Sequence, residues 1–269
     1  MVSFKGKGRE FMEQHIIFFD IDGTLLDHHK ELPQSAKESI FKLKEQGHEV
    51  AIATGRAPFM FKDIRKELGI DTYVSFNGQY VVLRGEVIYK NPLDNEELVA
   101  LTEKALENEH PVVFMDADDM KANVPEHEYI NESISSLKID HFPSHDPDYI
   151  GRELYQALLF CVKGEEQPYV DQFKKFDFVR WHRVSVDILP AGGSKAEGID
   201  RIIDKLGIPA ERQVAFGDAR NDLEMLSQIH HSFAMGNGHQ EAKEKARYVT
   251  KRVDEDGILY GLKQIGLIK

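Results

Sequence analysis

Four residues with wholly apolar side chains, Ile16 to Phe19, end in two aspartates one residue apart, in the stretch "IIFFDIDGTLLD". Successive side chains of a strand point to opposite faces, so an unbroken apolar run suits a strand covered on both sides. Strands of that kind belong to parallel sheets flanked by helices. Two carboxylates at the end of such a strand need a reason. In open α/β sheets that end is where ligands and metal ions bind.

The following segments obey the same constraint. In "PQSAKESIFKLKEQG", Ala36, Ile40 and Leu43 form a helical stripe and Gly47 suits the C-terminal cap. "EVAIAT" reads as a second buried strand, "APFMFKDIRKELG" as a second helix and "YVSFN" as a third strand. Such alternation implies right-handed βαβ units. The pattern then changes. "QYVVLRGEVIYKN" reads as a hairpin about Arg84-Gly85, followed by a polar helix in "DNEELVALTEKALENEH" and a strand in "PVVFMD". After an irregular region with Pro125, Pro143 and Pro147, "YQALLFCVK", another helix and "DFVRWHRVSVDIL" complete a section of antiparallel character. From Ser194 the βα alternation resumes and runs to a last helix from Asp254. The expected architecture is α/β. A Rossmann-like parallel-sheet core over residues 15–81 and 186–269 is interrupted by an α+β insert over 82–185, after an N-terminal extension over 1–14.

With 34 basic against 46 acidic residues the net charge is −12. That argues against a nucleic-acid partner, because phosphate backbones require a basic face; a local basic pocket for one small phosphate is compatible with it. No run of about 18 apolar residues is present, so no membrane-spanning helix is expected. "MVSFKGKGREFMEQH" lacks the apolar centre of a signal peptide. Residues 1–11 are expected to be a flexible extension without chemistry, with Met12 as an alternative start. The single cysteine, Cys161, lies in an apolar run and is expected to be a buried structural thiol. Without an intramolecular disulfide, the chain fits a reducing cytoplasm.

Four polar clusters fall where a parallel sheet binds ligands: Asp20-Ile21-Asp22-Gly23-Thr24, Thr54-Gly55-Arg56, Lys195 at a helix start, and Gly217-Asp218 leading to Asn221-Asp222. Three converging carboxylates, Asp20, Asp22 and Asp218, would repel one another strongly without a cation. Hard oxygen ligands suit Mg²⁺, which keeps waters and favours phosphate-bearing substrates. Lys195 and Thr54 add a point charge and a hydroxyl for phosphoryl oxygens. Gly23 permits a tight turn that faces amide N–H groups toward an anion. Together these residues read as a phosphoryl-transfer site.

"DIDGT", "TGR", the downstream lysine and "GDARND" resemble, in order and spacing, the four motifs of the haloacid dehalogenase (HAD) superfamily. The insert looks like the large α/β cap of its Cof-type phosphatases, and "SFNG", "FAMGNGH" and "VDEDGI" are similar to that subgroup as well. The resemblance implies that Asp20 is a nucleophile forming an aspartyl-phosphate and that Asp22 is the general acid/base. It implies Mg²⁺ held by the Asp20 carboxylate, the Asp22 backbone carbonyl and the Asp218 carboxylate. Asn221 and Asp222 would complete the shell around metal and phosphate, and Thr54 and Lys195 would grip the phosphoryl oxygens. Gly23, Gly55 and Arg56 belong to the same phosphate-binding motifs. Ala196 stands where glycine is common in the family, and Arg220 is a bulky filler in its motif; neither removes a catalytic group.

Other features carry less. "MDADD" at 115–119 lacks the glycine and distal glutamate of a calcium loop, so a solvated loop is expected. His28-His29 and His230-His231 have no metal-ligand partners at helical spacing. "GNGHQE" lacks the third glycine of a dinucleotide fingerprint. "RWHR" at 180–183 either reads a substrate or packs Trp181 inside the insert.

The sequence thus leads to a Mg²⁺-dependent phosphatase of small phosphorylated metabolites, with the insert as a mobile lid that sets specificity. A phosphomutase or phosphotransferase on the same scaffold, or a non-catalytic phosphometabolite sensor, are the alternatives. The expected state is a monomer or weak homodimer, with neither nucleic acid nor membrane as partner.

Overall fold

The computed structural model describes residues 13–139 and 141–269. The expected extension over 1–11 and the alternative start at Met12 lie outside these residues.

Ile16–Phe19 forms the strand its composition demands, and all four of its residues are buried. It lies inside an eight-stranded sheet. Six strands run parallel, in the spatial order Tyr248–Val249, His231–Ala234, Gln213–Gly217, Ile16–Phe19, Glu49–Ala53 and Thr72–Ser75. Alternation along the central strand explains the two helical layers. Ile17 and Phe19 pack with Ala36, Ile40 and Leu43 of helix Gln34–Glu45 and with Ile258 and Leu262 of helix Gly257–Gln264. Ile16 and Phe18 pack on the other side with Ile199 and Ile202 of helix Lys195–Leu206 and with Met225 and Leu226 of helix Leu223–Gln228.

The hairpin Tyr80–Leu83 and Glu86–Lys90 does not open the insert, as the sequence suggested. It extends the large sheet, Tyr80–Leu83 pairing antiparallel with Thr72–Ser75. At the other end, Ser185–Pro190 still belongs to the second sheet. By strand pairing the insert therefore begins past Lys90 and ends at Pro190, rather than spanning 82–185. Local patterning identifies a hairpin but not the sheet it joins.

The second sheet has six strands, in the order Phe176–His182, Ser185–Pro190, Gln156–Leu159, Val112–Met115, Met120–Ala122 and Ser144–His145. All pairs are antiparallel except the last. Helix Asn95–Glu107, capped by the Asp94 side chain, buries Leu98, Leu101 and Ala105 against one face. Part of the other face meets helix Glu128–Ser136 and, from the large sheet's side, Ala57 and Phe76. The chain passes between the sheets at Asn91 and again at 191–193. Both passages meet at Gln79: Asn91 Nδ2 donates to its Oε1 at 2.7 Å, and a Cβ on Gly193 would lie 1.9 Å from its Nε2. No helix among the described residues is long and apolar enough to cross a membrane.

Candidate active site

Asp20 follows the central strand directly and is buried, as is Lys195, the first residue of helix Lys195–Leu206. Lys195 Nζ donates to Asp20 Oδ1 at 2.5 Å and to Asp222 Oδ1 at 2.7 Å. Ser194 caps the helix through the Glu197 N–H, as its position in the sequence suggests. A cation in a first helical turn opposes the helix dipole; the two carboxylates offset that cost. Burial alone would favour the neutral amine, but Asp20 and Asp222 outweigh it and keep Lys195 protonated.

Asp222 uses both oxygens. Its Oδ2 accepts from the Asp218 and Ala219 N–H groups at 2.9 and 3.0 Å, which fixes the loop carrying Asp218. Asp20, Asp218 and Asp222 each bring an oxygen within 4.8 Å of the others. Burial, followed by Asp222, pushes Asp218 up to about 7, and burial with the surrounding carboxylates pushes Asp20 upward against the pull of Lys195. Asp218 Oδ1 is buried with no hydrogen-bond partner. Surplus negative charge and an orphaned carboxylate oxygen are what a hard divalent cation would satisfy, so the residues present fit Mg²⁺. Gly23 (φ +78°) lies directly beneath, and a Cβ there would sit 2.3 Å from Asp218 Oδ2.

The Asp22 carboxylate stands outside that trio. Arg56 grips it with Nε and Nη2 at 2.8 and 2.7 Å, and Lys30 Nζ donates to it at 2.5 Å. Burial raises its pKa, but Arg56 and Lys30 outweigh that and hold it below the usual carboxylate range. From Asp22, only the backbone carbonyl is thus free of those two cations to serve as a metal ligand. Arg56, expected among the phosphate-binding residues, is engaged with Asp22. Buried Thr54 accepts through Oγ1 from the Arg56 N–H at 3.2 Å. Asn221 Nδ2 donates to Asn77 Oδ1 at 3.2 Å.

Asp20, Asp22, Thr54, Gly55, Arg56 and Asn221 line one cavity of about 530 Å³, roofed by the insert. Lys195 opens on a neighbouring hollow of about 620 Å³, and Asn77 and Asn221 line both. The smaller cavity is the one that Asp20 and Asp22 border. Lys30 and Asn77 escaped the sequence reading. Lys30 has no motif around it; Asn77 lies in "SFNG", with a left-handed φ of 51° that asparagine tolerates. Cys161 is buried, and burial pushes its thiol up to about 11.

A parallel sheet with paired aspartates, a buried lysine and an acidic loop at its strand ends, beneath an inserted unit, defines a hydrolase class. The chain belongs to the haloacid dehalogenase-like hydrolases, whose sequence profile matches residues 17–262. It is 50% identical over 96% of its length to the whole of a Bacillus subtilis protein named "Putative phosphatase YkrA". It is 30% identical, over 93% of this chain and 97% of the relative, to the B. subtilis 5-amino-6-(5-phospho-D-ribitylamino)uracil phosphatase YitU. A crystal structure of a hypothetical protein from Geobacillus kaustophilus HTA426 superposes with a TM-score of 0.91 at 57% identity, covering 95% of this chain and 100% of that one.

Proposed function

We propose that the protein is a Mg²⁺-dependent phosphatase hydrolysing phosphate monoesters of small metabolites, sugar phosphates or nucleotide and cofactor phosphates, through an aspartyl-phosphate on Asp20. The observation that carries this reading is the buried Asp20, held by Lys195 through one oxygen and facing the cavity beside Asp22. Names of relatives that specify a phosphatase add support.

Asp20, the Asp22 carbonyl and Asp218 would hold Mg²⁺, which supplies the charge that lets an anionic nucleophile approach a phosphate dianion. Asp20 attacks phosphorus with the oxygen that Lys195 leaves free. The O–P bond to the alcohol breaks, and the leaving oxygen takes a proton from Asp22. Water then attacks the same phosphorus, giving a proton to Asp22 and returning Asp20 as a carboxylate. Held by Arg56 and Lys30, Asp22 is ionised, the form the second step requires; in the first step it must carry a proton. Thr54 and Asn221 donate to the phosphoryl oxygens.

The test is phosphate release from a panel of phosphorylated metabolites, for the native protein and Asp20→Asn, with Mg²⁺ and with EDTA. Release that needs Mg²⁺ and falls at least about a thousandfold in Asp20→Asn is expected. An Asp20→Asn variant with native turnover would overturn the reading, and phosphate reappearing on a second hydroxyl would replace hydrolysis by transfer.

A further inference from the structure

The roof of the active-site cavity is built from one face of the second sheet. Met115 lies opposite Gln156, and Leu158 lies opposite Asp187, which in turn lies opposite Val179. The two-residue period of a strand puts Gln156 and Leu158 on the same face. All five residues line the cavity, as does Trp181 two residues past Val179. Their neighbours Ala157, Val186 and Ile188 point the other way, into the insert's own core.

Three of these roof residues are polar, and two of them carry a buried side-chain atom without a hydrogen bond. Gln156 is 5% exposed and its Oε1 is buried without a hydrogen bond; Trp181 Nε1 is likewise buried and unpartnered. The Asp187 carboxyl lies beside both side chains, and no cation contributes to its environment. Arg180 also borders the cavity, but its guanidinium is committed to Glu166 and to the Cys161, His182 and Arg183 carbonyls. The rest of the roof is apolar. Buried polar groups left unpaired cost free energy, and a ligand that pairs them recovers it.

We propose that Gln156, Asp187 and Trp181 form the subsite that reads the leaving group, and that it selects an uncharged or cationic polyol or amino-polyol over one bearing a second anion. The subsite offers two acceptors, the Asp187 carboxyl and Gln156 Oε1, and donors in the indole N–H and the Gln156 amide, which lie beside Asp187. A hydroxyl both donates and accepts, and an ammonium donates, so both satisfy it. A carboxylate or second phosphate can only accept, and would meet Asp187 with no counter-ion. Burial pushes Asp187 up to about 7, against the weaker pull of Gln156 and Trp181 beside it. The subsite rests on the phosphatase reading for the position of the phosphate over Asp20.

Three phosphates of similar length test it: D-glucosamine 6-phosphate, D-glucose 6-phosphate and 6-phospho-D-gluconate. Affinities are measured by calorimetry with Mg²⁺ in an Asp20→Asn background, which separates binding from turnover. Both sugar phosphates are expected to bind at least about tenfold more tightly than the gluconate, and Asp187→Asn to shrink that ratio to about threefold or less. Gln156→Met, which keeps the length and removes the acceptor, is expected to weaken both sugar phosphates about tenfold. A ratio unmoved by Asp187→Asn, or sugar affinity unmoved by Gln156→Met, overturns the subsite. Failure of the native protein to release phosphate from any of the three would count against hydrolysis, while these affinities still decide the subsite.

Discussion

Lys195 and Asp222 make an ion pair with no solvent contact on either side chain, so neither can be removed cheaply. Asp222→Ala strips a partner from Lys195 and two from the 218–219 backbone; it is expected to cost roughly 3–5 kcal/mol, read by urea unfolding. Asp187 gives a second prediction. Its folded-state pKa of about 7 exceeds the unfolded value, so the folded protein holds the proton more tightly. Its contribution is present below about pH 4 and is lost as pH rises toward 7. Asp20, Asp22, Arg56, Arg180, Arg220 and His239 also border the cavity, but none contributes to the shift. Asp187→Asn should therefore match the native protein in thermal stability near pH 4 and exceed it increasingly up to pH 8. At this scale, Asp20, Thr54, Lys195 and Asp218 were legible because strand ends and motif order mark them. Lys30, Gln156 and Asp187 were not, since no motif marks them.

The turn Phe76–Gly78 sits between a strand and the helix that carries Lys195. Gly78 has φ +101°, and a Cβ there would lie 2.0 Å from the Ser194 carbonyl oxygen. Gly198 is also closely packed, its Cβ position 2.5 Å from the Val74 side chain. Gly78→Ala must therefore push the helix start, and with it the Lys195 ammonium, away from Asp20. It is expected to cost about 1–3 kcal/mol and to lower phosphate release at least about tenfold. Gly85→Ala is the control: φ is +83° but nothing lies within 4 Å, so stability falls while phosphate release stays native. Most helices and parallel strands were readable from periodicity. Helix Glu128–Ser136, in the stretch read as irregular, and the edge strand Tyr248–Val249 with the helix Gln240–Lys245 before it were not. The placement of the hairpin 80–90 was not, because an antiparallel pair looks the same locally whichever sheet it extends.

Phe76 is one of the side chains through which the two sheets meet. It is fully buried in the insert's cluster and stacks on Tyr155 with ring centroids 5.6 Å apart. Phe76→Ala should loosen that junction by about 3–5 kcal/mol and split thermal unfolding into two transitions, which calorimetry would record. The alternation of strands and helices foretold both the large sheet and the existence of an insert. The roof of the cavity was hidden, since its polar residues fall on three strands separated in sequence and only the register aligns them. The two passages of chain at Gln79 have a wider consequence. Every acidic residue at the strand ends, and Lys195 with them, comes from outside the stretch between those passages, whereas Gln156, Asp187 and Trp181 come from within it. A lineage can therefore trade the interior stretch across that single seam and acquire a new appetite while its reactive machinery is inherited intact.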